Sequence, residues 1–108
     1  MAATIQLPFV PSAIAAGEGA AWVTSLLEDT VSRVDPATNR VTRTIRVGRG
    51  AYALAVGEQG VWVTGSIDDT VSRIDPATNR VVATVRIDGT PKAVAAGAGG
   101  VWVIEGKR

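Results

Sequence analysis

Apolar and polar residues alternate along several short stretches of this chain, which is the pattern of β-strands with one buried face. Residues 41–47 place Val41, Ile45 and Val47 on one predicted face and Thr42, Thr44 and Arg46 on the other, and residues 80–87 repeat the alternation. Three further runs are rich in aromatic and β-branched residues, which suit a packed sheet; they are residues 21–24, 61–64 and 101–104. No helical period competes, so an all-β protein is predicted.

The chain repeats itself every forty residues. Residues 69–81 differ from residues 29–41 at one position, where Ile74 replaces Val34, and the same spacing separates three tryptophans. Turn residues divide each period into four short strands, labelled a to d in chain order. Four-stranded antiparallel sheets repeating at this length are typical of β-propeller blades. We expect the tryptophans, Trp22, Trp62 and Trp102, to pack between neighbouring blades.

The phase of the repeat predicts an incomplete ring of about 2.75 blades. It comprises a d strand at residues 3–8, a blade at 13–47, a second blade at 53–87 and a partial a–b blade at 93–104, so the third c strand is absent. The a strands alternate alanine with one larger aliphatic residue, which predicts that they lie innermost, where sheets approach closely.

Closed propellers contain at least four blades, so we expect the ring to be completed by oligomerisation. A homodimer with six blades is preferred, and a homotrimer with nine is second. In such an assembly the d strand of one copy would join strands a and b of another. Strands b and d run in the same direction, so d placed directly beside b would pair in parallel. The sequence leaves open how this is resolved. The alternative is a fragment of a longer propeller, or an engineered or duplicated sequence.

The residues Asp-Pro-Ala-Thr-Asn-Arg at 35–40 and 75–80 predict a tight c-to-d turn. Aspartate accepts backbone hydrogen bonds, proline fixes φ and asparagine tolerates the left-handed conformation. A cation loop would need more carboxylates, so turn formation is preferred. The glycine-rich segments that follow the a strands predict a-to-b hairpins. Arg33 and Arg73 are expected to pair with an aspartate on the adjoining blade rather than to bind phosphate.

Composition excludes several classes of site. The 108 residues are 46% hydrophobic and 19% charged, with a net charge of +1 and neither cysteine nor histidine. Disulfides, thiolate metal sites and histidine bases are therefore excluded, and no cofactor is predicted. No basic patch indicates nucleic acid, and no apolar run reaches the length of a membrane span. The N-terminus matches the repeat and contains Pro8 and Pro11, so we do not interpret it as a signal peptide.

The sequence Asp-Thr-Val-Ser-Arg-Ile-Asp-Pro-Ala-Thr-Asn-Arg-Val-Val-Ala-Thr-Val at residues 69–85 resembles the YVTN-type β-propeller repeat, a family of bacterial and archaeal surface and periplasmic proteins. The resemblance covers essentially the whole chain. The resemblance implies the fold and says almost nothing about activity. Proteins of this family are often extracytoplasmic, but the location of this chain is left unassigned. The chain is also similar to the propeller of streptogramin (virginiamycin B) lyases. Their activity depends on a catalytic histidine and magnesium, and it is not carried over because this chain has no histidine.

The repeats differ mainly in the d-to-a and b-to-c loops, which face the axis of a propeller. One position that is equivalent in all three repeats holds a different side chain in each, and these three residues are candidates for ligand binding. The neighbouring loops contribute three further candidates. These residues are Ser12, Tyr52, Lys92, Arg49, Ser66 and Asp68. Unconstrained variation of surface loops explains the divergence equally well. The leading hypothesis is a self-assembling scaffold or interaction module without catalysis, and the alternative is a small-molecule or carbohydrate binder that uses the axial loops.

Overall fold

A computed structural model describes residues 4, 5, 7 and 9–106 of the chain. Within them, ten strands form three antiparallel sheets joined in chain order. Sheet 1 contains β1 (Pro11–Gly17), β2 (Ala20–Ser25), β3 (Thr30–Asp35) and β4 (Arg40–Arg46). Sheet 2 contains β5 (Ala51–Gly57), β6 (Gly60–Gly65), β7 (Thr70–Asp75) and β8 (Arg80–Arg86), and sheet 3 contains β9 (Thr90–Gly97) and β10 (Gly100–Gly106).

This arrangement confirms the predicted fold class, which is all-β with propeller-like blades in an open ring. The sheets have four, four and two strands, so the third sheet lacks strands c and d within the described range. The described residues form strands, turns and irregular segments, and none of them belongs to a helix that could cross a membrane.

The three sheets fan out from their first strands. Strands β1, β5 and β9 lie side by side, whereas β4 and β8 barely touch. The approach is closest at Gly17, where a Cβ atom would lie 2.7 Å from Val56 Cγ1. At Gly57 the equivalent Cβ would lie 3.2 Å from the Cβ of Ala96. The small side chains of the a strands therefore allow the sheets to converge, as the sequence predicts.

Each sheet has a forward face, directed towards the next sheet in chain order, and a rear face, directed towards the preceding one. Cross-strand partners share a face, so the register assigns the side chains. The main core fills the space between the forward face of sheet 1 and the rear face of sheet 2. Its buried members are Ala20, Trp22, Val31, Ile45, Ala51, Val61, Val63 and Ile74.

The predicted face assignment of the d strand is wrong at Val41. The β3–β4 pairing shifts register between Arg33 and Val34, so that Val41 pairs with Val34 while Ile45 pairs with Val31. This irregularity moves one end of β4 by one residue relative to its partner, which reverses the side on which Val41 points. Val41 consequently lies on the rear face, and Ile45 lies in the core.

The c-to-d turn has the predicted chemistry. The Ala37 N–H donates to Asp35 Oδ1 at 2.9 Å, and the Asn39 N–H donates to the Asp35 carbonyl oxygen at 2.7 Å. Asn39 adopts φ of 57°, in the left-handed region that asparagine tolerates. In all three a-to-b hairpins a residue other than glycine also adopts positive φ, namely Glu18, Glu58 and Ala98. The second hairpin has Gln59 at the next position, where the other two have a glycine.

The predicted N-terminal d strand lies partly outside the described residues. Its positions 3, 6 and 8 are not described, and Thr4, Ile5 and Leu7 belong to no strand. Ile5 and Leu7 instead line a cavity on the rear face of sheet 1. The d-strand prediction therefore stays a prediction.

Candidate functional site

The three repeat-equivalent tryptophans have the same backbone setting and different degrees of burial. The indole Nε1 of Trp22 donates to the Gly17 carbonyl oxygen at 3.0 Å, and that of Trp62 donates to Gly57 at 3.0 Å. Trp22 is completely buried, Trp62 is partly buried, and Trp102 is 54% exposed. Burial declines along the chain because sheet 2 covers Trp22 with four strands, whereas sheet 3 covers Trp62 with two.

Arg33 connects sheet 1 to sheet 2 through the c-to-d turn of sheet 2. Its guanidinium carbon lies 5.0 Å from the centroid of the Trp22 ring. The Nη1 atom donates to the Pro76 carbonyl oxygen and to Asn79 Oδ1, both at 2.7 Å. Arg33 therefore combines a cation–π contact with two hydrogen bonds across the interface.

The predicted ion pair between Arg33 and an aspartate of the adjoining blade is wrong in its partner. Arg33 does reach that blade, but it contacts the turn that follows Asp75 and not the Asp75 carboxylate, whose Oδ1 accepts the Ala77 N–H. The Pro76 carbonyl and the Asn79 amide oxygen provide the acceptors instead.

Arg73 repeats the arginine–tryptophan pair without the contact to a following turn. Its guanidinium carbon lies 5.7 Å from the Trp62 ring centroid, and Nη2 donates to the Gln59 carbonyl oxygen at 2.8 Å. Gln59 belongs to the same sheet. Sheet 3 has no c-to-d turn in the described part of the chain, so Arg73 has no equivalent of Asn79 to bind.

Three of the predicted loop residues come together where sheet 1 passes into sheet 2. Arg49 Nε forms an ion pair with Asp68 Oδ1 at 2.9 Å, and the Arg49 backbone N–H donates to Asp68 Oδ2 at 3.0 Å. Ser66 Oγ donates to the Gly50 carbonyl oxygen at 2.9 Å. The backbone hydrogen bond from Arg49, followed by the guanidinium hydrogen bond, lowers the pKa of Asp68 below its ordinary value. These contacts fasten the d-to-a connection to the b-to-c turn of sheet 2.

The other three candidates occupy the beginnings of the first strands. Ser12 Oγ lies 2.8 Å from Thr24 Oγ1 and 3.1 Å from the Ala51 carbonyl oxygen, so its hydroxyl joins β1, β2 and β5. Tyr52 and Lys92 are exposed. The structure thus places Ser12 in an inter-sheet hydrogen-bond network and leaves the Tyr52 and Lys92 side chains accessible.

Among the described residues, no group of three or more aspartate and glutamate side chains could hold a metal ion.

Two features of this structure were not identified from the sequence. One is the Trp–Arg pair, in which each arginine lies directly opposite a tryptophan on the neighbouring strand. The other is a cavity of about 340 Å³ on the rear face of sheet 1, lined in part by Ile14, Val23 and Val34. The forty-residue correspondence contains the signal for the cavity, because these positions correspond to residues 54, 63 and 74, which pack around the Trp22 core.

Comparison with known proteins agrees with this geometry. A family model described as a YNCE-like beta-propeller matches residues 2–105. The chain belongs to this family. No curated protein matches this YNCE-like propeller chain.

Solved structures similar to the YNCE-like chain include several propellers. A streptogramin B lyase matches with a TM-score of 0.81 and 19% identity, covering 94% of this chain and 37% of that one. Hydrazine synthase of Kuenenia stuttgartiensis matches with a TM-score of 0.74 and 20% identity, covering 79% and 25%. Apo AztD of Citrobacter koseri matches with a TM-score of 0.76 and 14% identity, covering 96% and 29%. At these identities the likeness shows the fold, and this chain spans well under half of each of the three structures.

Proposed function

We propose that this chain is a scaffold or interaction module, without catalysis of its own, which self-assembles with further copies to complete a ring of blades. The propeller fold is compatible with a binding or scaffold module but does not identify a partner, and the proposal concerns what this one binds. The observation that carries it is the series of equivalent tryptophans, which runs from completely buried Trp22 to Trp102 at 54% exposure. Trp102 occupies the position of an interface residue without an opposing sheet among the described residues.

Exposed apolar side chains lie on both outer faces of the stack, in addition to those in loops and outer strands. Trp102 and Ile104 are 54% and 63% exposed on β10, and Ile14 is 68% exposed on β1. Burying one large apolar side chain contributes roughly 1.5–3 kcal/mol, so covering these faces favours association. Contiguous apolar surface of this kind marks interaction sites in soluble proteins.

Absence of catalysis is part of the proposal and has independent support in the composition. The chain has no histidine or cysteine, which are the commonest catalytic base and a common nucleophile.

Static light scattering over a wide concentration range tests self-assembly. A mass twice that of the chain supports the six-bladed dimer, which is preferred, and three times supports the nine-bladed trimer. Tyr52→Ala serves as a control, because its exposed side chain lies at the beginning of β5 in the middle sheet and not on an outer face. A mass of one chain at every concentration contradicts the proposal.

The alternative proposal, binding of a carbohydrate or small molecule at the axial loops, is favoured by the 46% exposure of the Tyr52 ring. Aromatic rings at propeller axes offer flat stacking surface beside polar loop groups. Specific binding on a sugar array that Tyr52→Ala abolishes supports this alternative. Binding that Tyr52→Ala leaves unchanged contradicts it, and Val82→Ala, at a 49% exposed residue of β8 outside the axial loops, is the matched control.

A further inference from the structure

The cavity on the rear face of sheet 1 has the residues of a tryptophan-binding surface. Ile14 is its exposed wall, at 68% exposure, and Val23 and Val34 lie buried at its base with 3% and 1% exposure. Ile5 and Leu7 of the N-terminal segment complete the lining. Ile14 pairs with Val23 across β1 and β2, so the two side chains lie on one face. The cavity, of about 340 Å³, is therefore walled mainly by aliphatic side chains.

The interface between sheets 1 and 2 shows what such a surface receives. Forty residues further along, Leu54, Val63 and Ile74 occupy the equivalent positions on the rear face of sheet 2. They pack in the core cluster that contains Trp22 of sheet 1. In the assembled pair of sheets, this set of aliphatic residues thus helps to bury a tryptophan completely.

The chain also carries a tryptophan on the opposite outer face. Gly57 approaches Ala96, which places Ala96 on the rear face of sheet 3. Trp102 is the cross-strand partner of Ala95, the next residue along β9, and therefore lies on the forward face. Ile104, the partner of Ala93, lies beside it on the same face.

We propose that Trp102 of one copy of the chain inserts into the cavity lined by Ile14, Val23 and Val34 of a second copy. This inference rests on the proposed self-assembly and specifies its contact. The forward face of sheet 3 in one copy would then pack against the rear face of sheet 1 in the second copy. This contact would have the same geometry as the one between sheets 1 and 2 within a single chain. The two surfaces differ, so the contact is head-to-tail and repeats around a ring until it closes.

Repeat equivalence extends to the backbone of this contact. Gly17 approaches Val56 at the contact between sheets 1 and 2. At the contact between sheets 2 and 3, Gly57 approaches Ala96, and each of these residues lies forty positions after its counterpart in the first contact. The next members of the series are Gly97 and, in the second copy, Ala16. A Cβ atom at Gly97 would meet nothing within 4 Å in the single chain, so that space is available to a partner.

The chemistry of the two surfaces is compatible. Ala93, Ala95, Trp102 and Ile104 occupy the forward face of sheet 3 across β9 and β10. Ile14, Ala16, Ala21 and Val23 occupy the rear face of sheet 1 across β1 and β2. The paired residues of these inner strands bring no charged group into the contact, so burial requires no desolvation of an ion.

Two charged substitutions test this contact in the full chain. Trp102→Glu removes the inserted ring, and Ile14→Asp places a carboxylate at the cavity. Each variant alone is expected to weaken self-association at least about thirtyfold, the effect of removing a central aromatic anchor. Leu27→Ala, at a loop residue with 76% exposure, is the control and should associate as the unchanged chain does. Circular dichroism and thermal unfolding confirm that each variant remains folded.

Mixing the two variants distinguishes a head-to-tail contact from other geometries. A copy with Ile14→Asp keeps Trp102, and a copy with Trp102→Glu keeps the cavity, so one intact contact forms between them. Sedimentation velocity of an equimolar mixture should recover association that neither variant shows alone.

Failure of the mixture to recover overturns the inference. Association of Trp102→Glu at the strength of the unchanged chain also overturns it, while leaving the proposed self-assembly in place through another surface. An unchanged chain that stays monomeric overturns both.

Discussion

Arg33 of sheet 1 donates a 2.7 Å hydrogen bond to the side-chain oxygen of Asn79 in sheet 2. This contact joins two parts of the same repeated sequence, because Asn79 belongs to the turn that follows Arg73, the repeat equivalent of Arg33. Each of the two four-stranded sheets therefore presents an arginine at its forward face and an acceptor turn at its outer end. The repeat encodes both halves of its own interface.

The stability contributed by Arg33 can be measured against Arg73. Arg33→Ala loses two hydrogen bonds to sheet 2 and the cation–π contact, and should lower the free energy of unfolding by about 1–3 kcal/mol. Arg73→Ala loses one hydrogen bond within its own sheet and a longer cation–π contact, and should cost less, about 0.5–1.5 kcal/mol. Urea unfolding followed by tryptophan fluorescence gives both values. Equal losses would show that the inter-sheet hydrogen bonds contribute no net stability.

Gly17 and Gly97 form a second matched pair. Both have φ near 150°, 151° and 155° respectively, so substitution by alanine imposes similar backbone strain. At Gly17 the new Cβ would also lie 2.7 Å from Val56 Cγ1, whereas at Gly97 it meets nothing within 4 Å. Gly17→Ala should therefore be the more destabilising by about 1–3 kcal/mol in dilute solution, the usual cost of overpacking. A melting temperature for Gly97→Ala as low as that for Gly17→Ala would contradict the close inter-sheet approach.

The sequence predicted the fold because its two strongest signals are local and repeated. Alternation identified the strands, and the tryptophan spacing set the blade period, so the four-stranded sheets followed. The turn chemistry was also predictable, since Asp35 and Asn39 act on their own loop. Alternation failed at Val41, where a register shift depends on how β3 and β4 pair and leaves no mark in the periodicity.

The candidate site was less accessible to sequence reasoning. Divergent loop residues were grouped by their position in the repeat, and the structure shows that Arg49, Ser66 and Asp68 bond within the loops that they occupy. Loop divergence cannot distinguish a side chain that fixes a connection from one that contacts a ligand. The Arg33 contact was assigned to the correct neighbouring blade but to the wrong acceptor, because charge complementarity does not show which atoms of the turn the guanidinium reaches.

Fluorescence quenching measures the graded exposure of the tryptophans. Three variants, each retaining one tryptophan and carrying phenylalanine at the other two positions, report on one ring at a time. Acrylamide quenching in dilute solution should be weakest for Trp22, intermediate for Trp62 and strongest for Trp102. Raising the protein concentration should protect Trp102 while leaving Trp22 unchanged if the outer face becomes covered. Quenching of Trp22 as strong as that of Trp102 would contradict the core arrangement.

The Arg49–Asp68 pair should make stability depend on pH in the acid range. Hydrogen bonds from the Arg49 backbone and side chain depress the folded-state pKa of Asp68 below its ordinary value of 3.8. A depressed carboxyl pKa contributes stability that is fully present above the unfolded-state value and is lost as the pH falls through the folded-state value. Asp68→Asn should therefore be less stable than the unchanged chain near neutral pH, and the difference should shrink as the pH falls below 3.8.

Added salt should weaken the guanidinium contribution at neutral pH, because the Arg49 side chain is exposed. Urea unfolding at a series of pH values measures the difference, with Asp88→Asn as a control for the loss of one surface charge. A difference that grows on acidification would reverse the sign and rule out the pair as its cause.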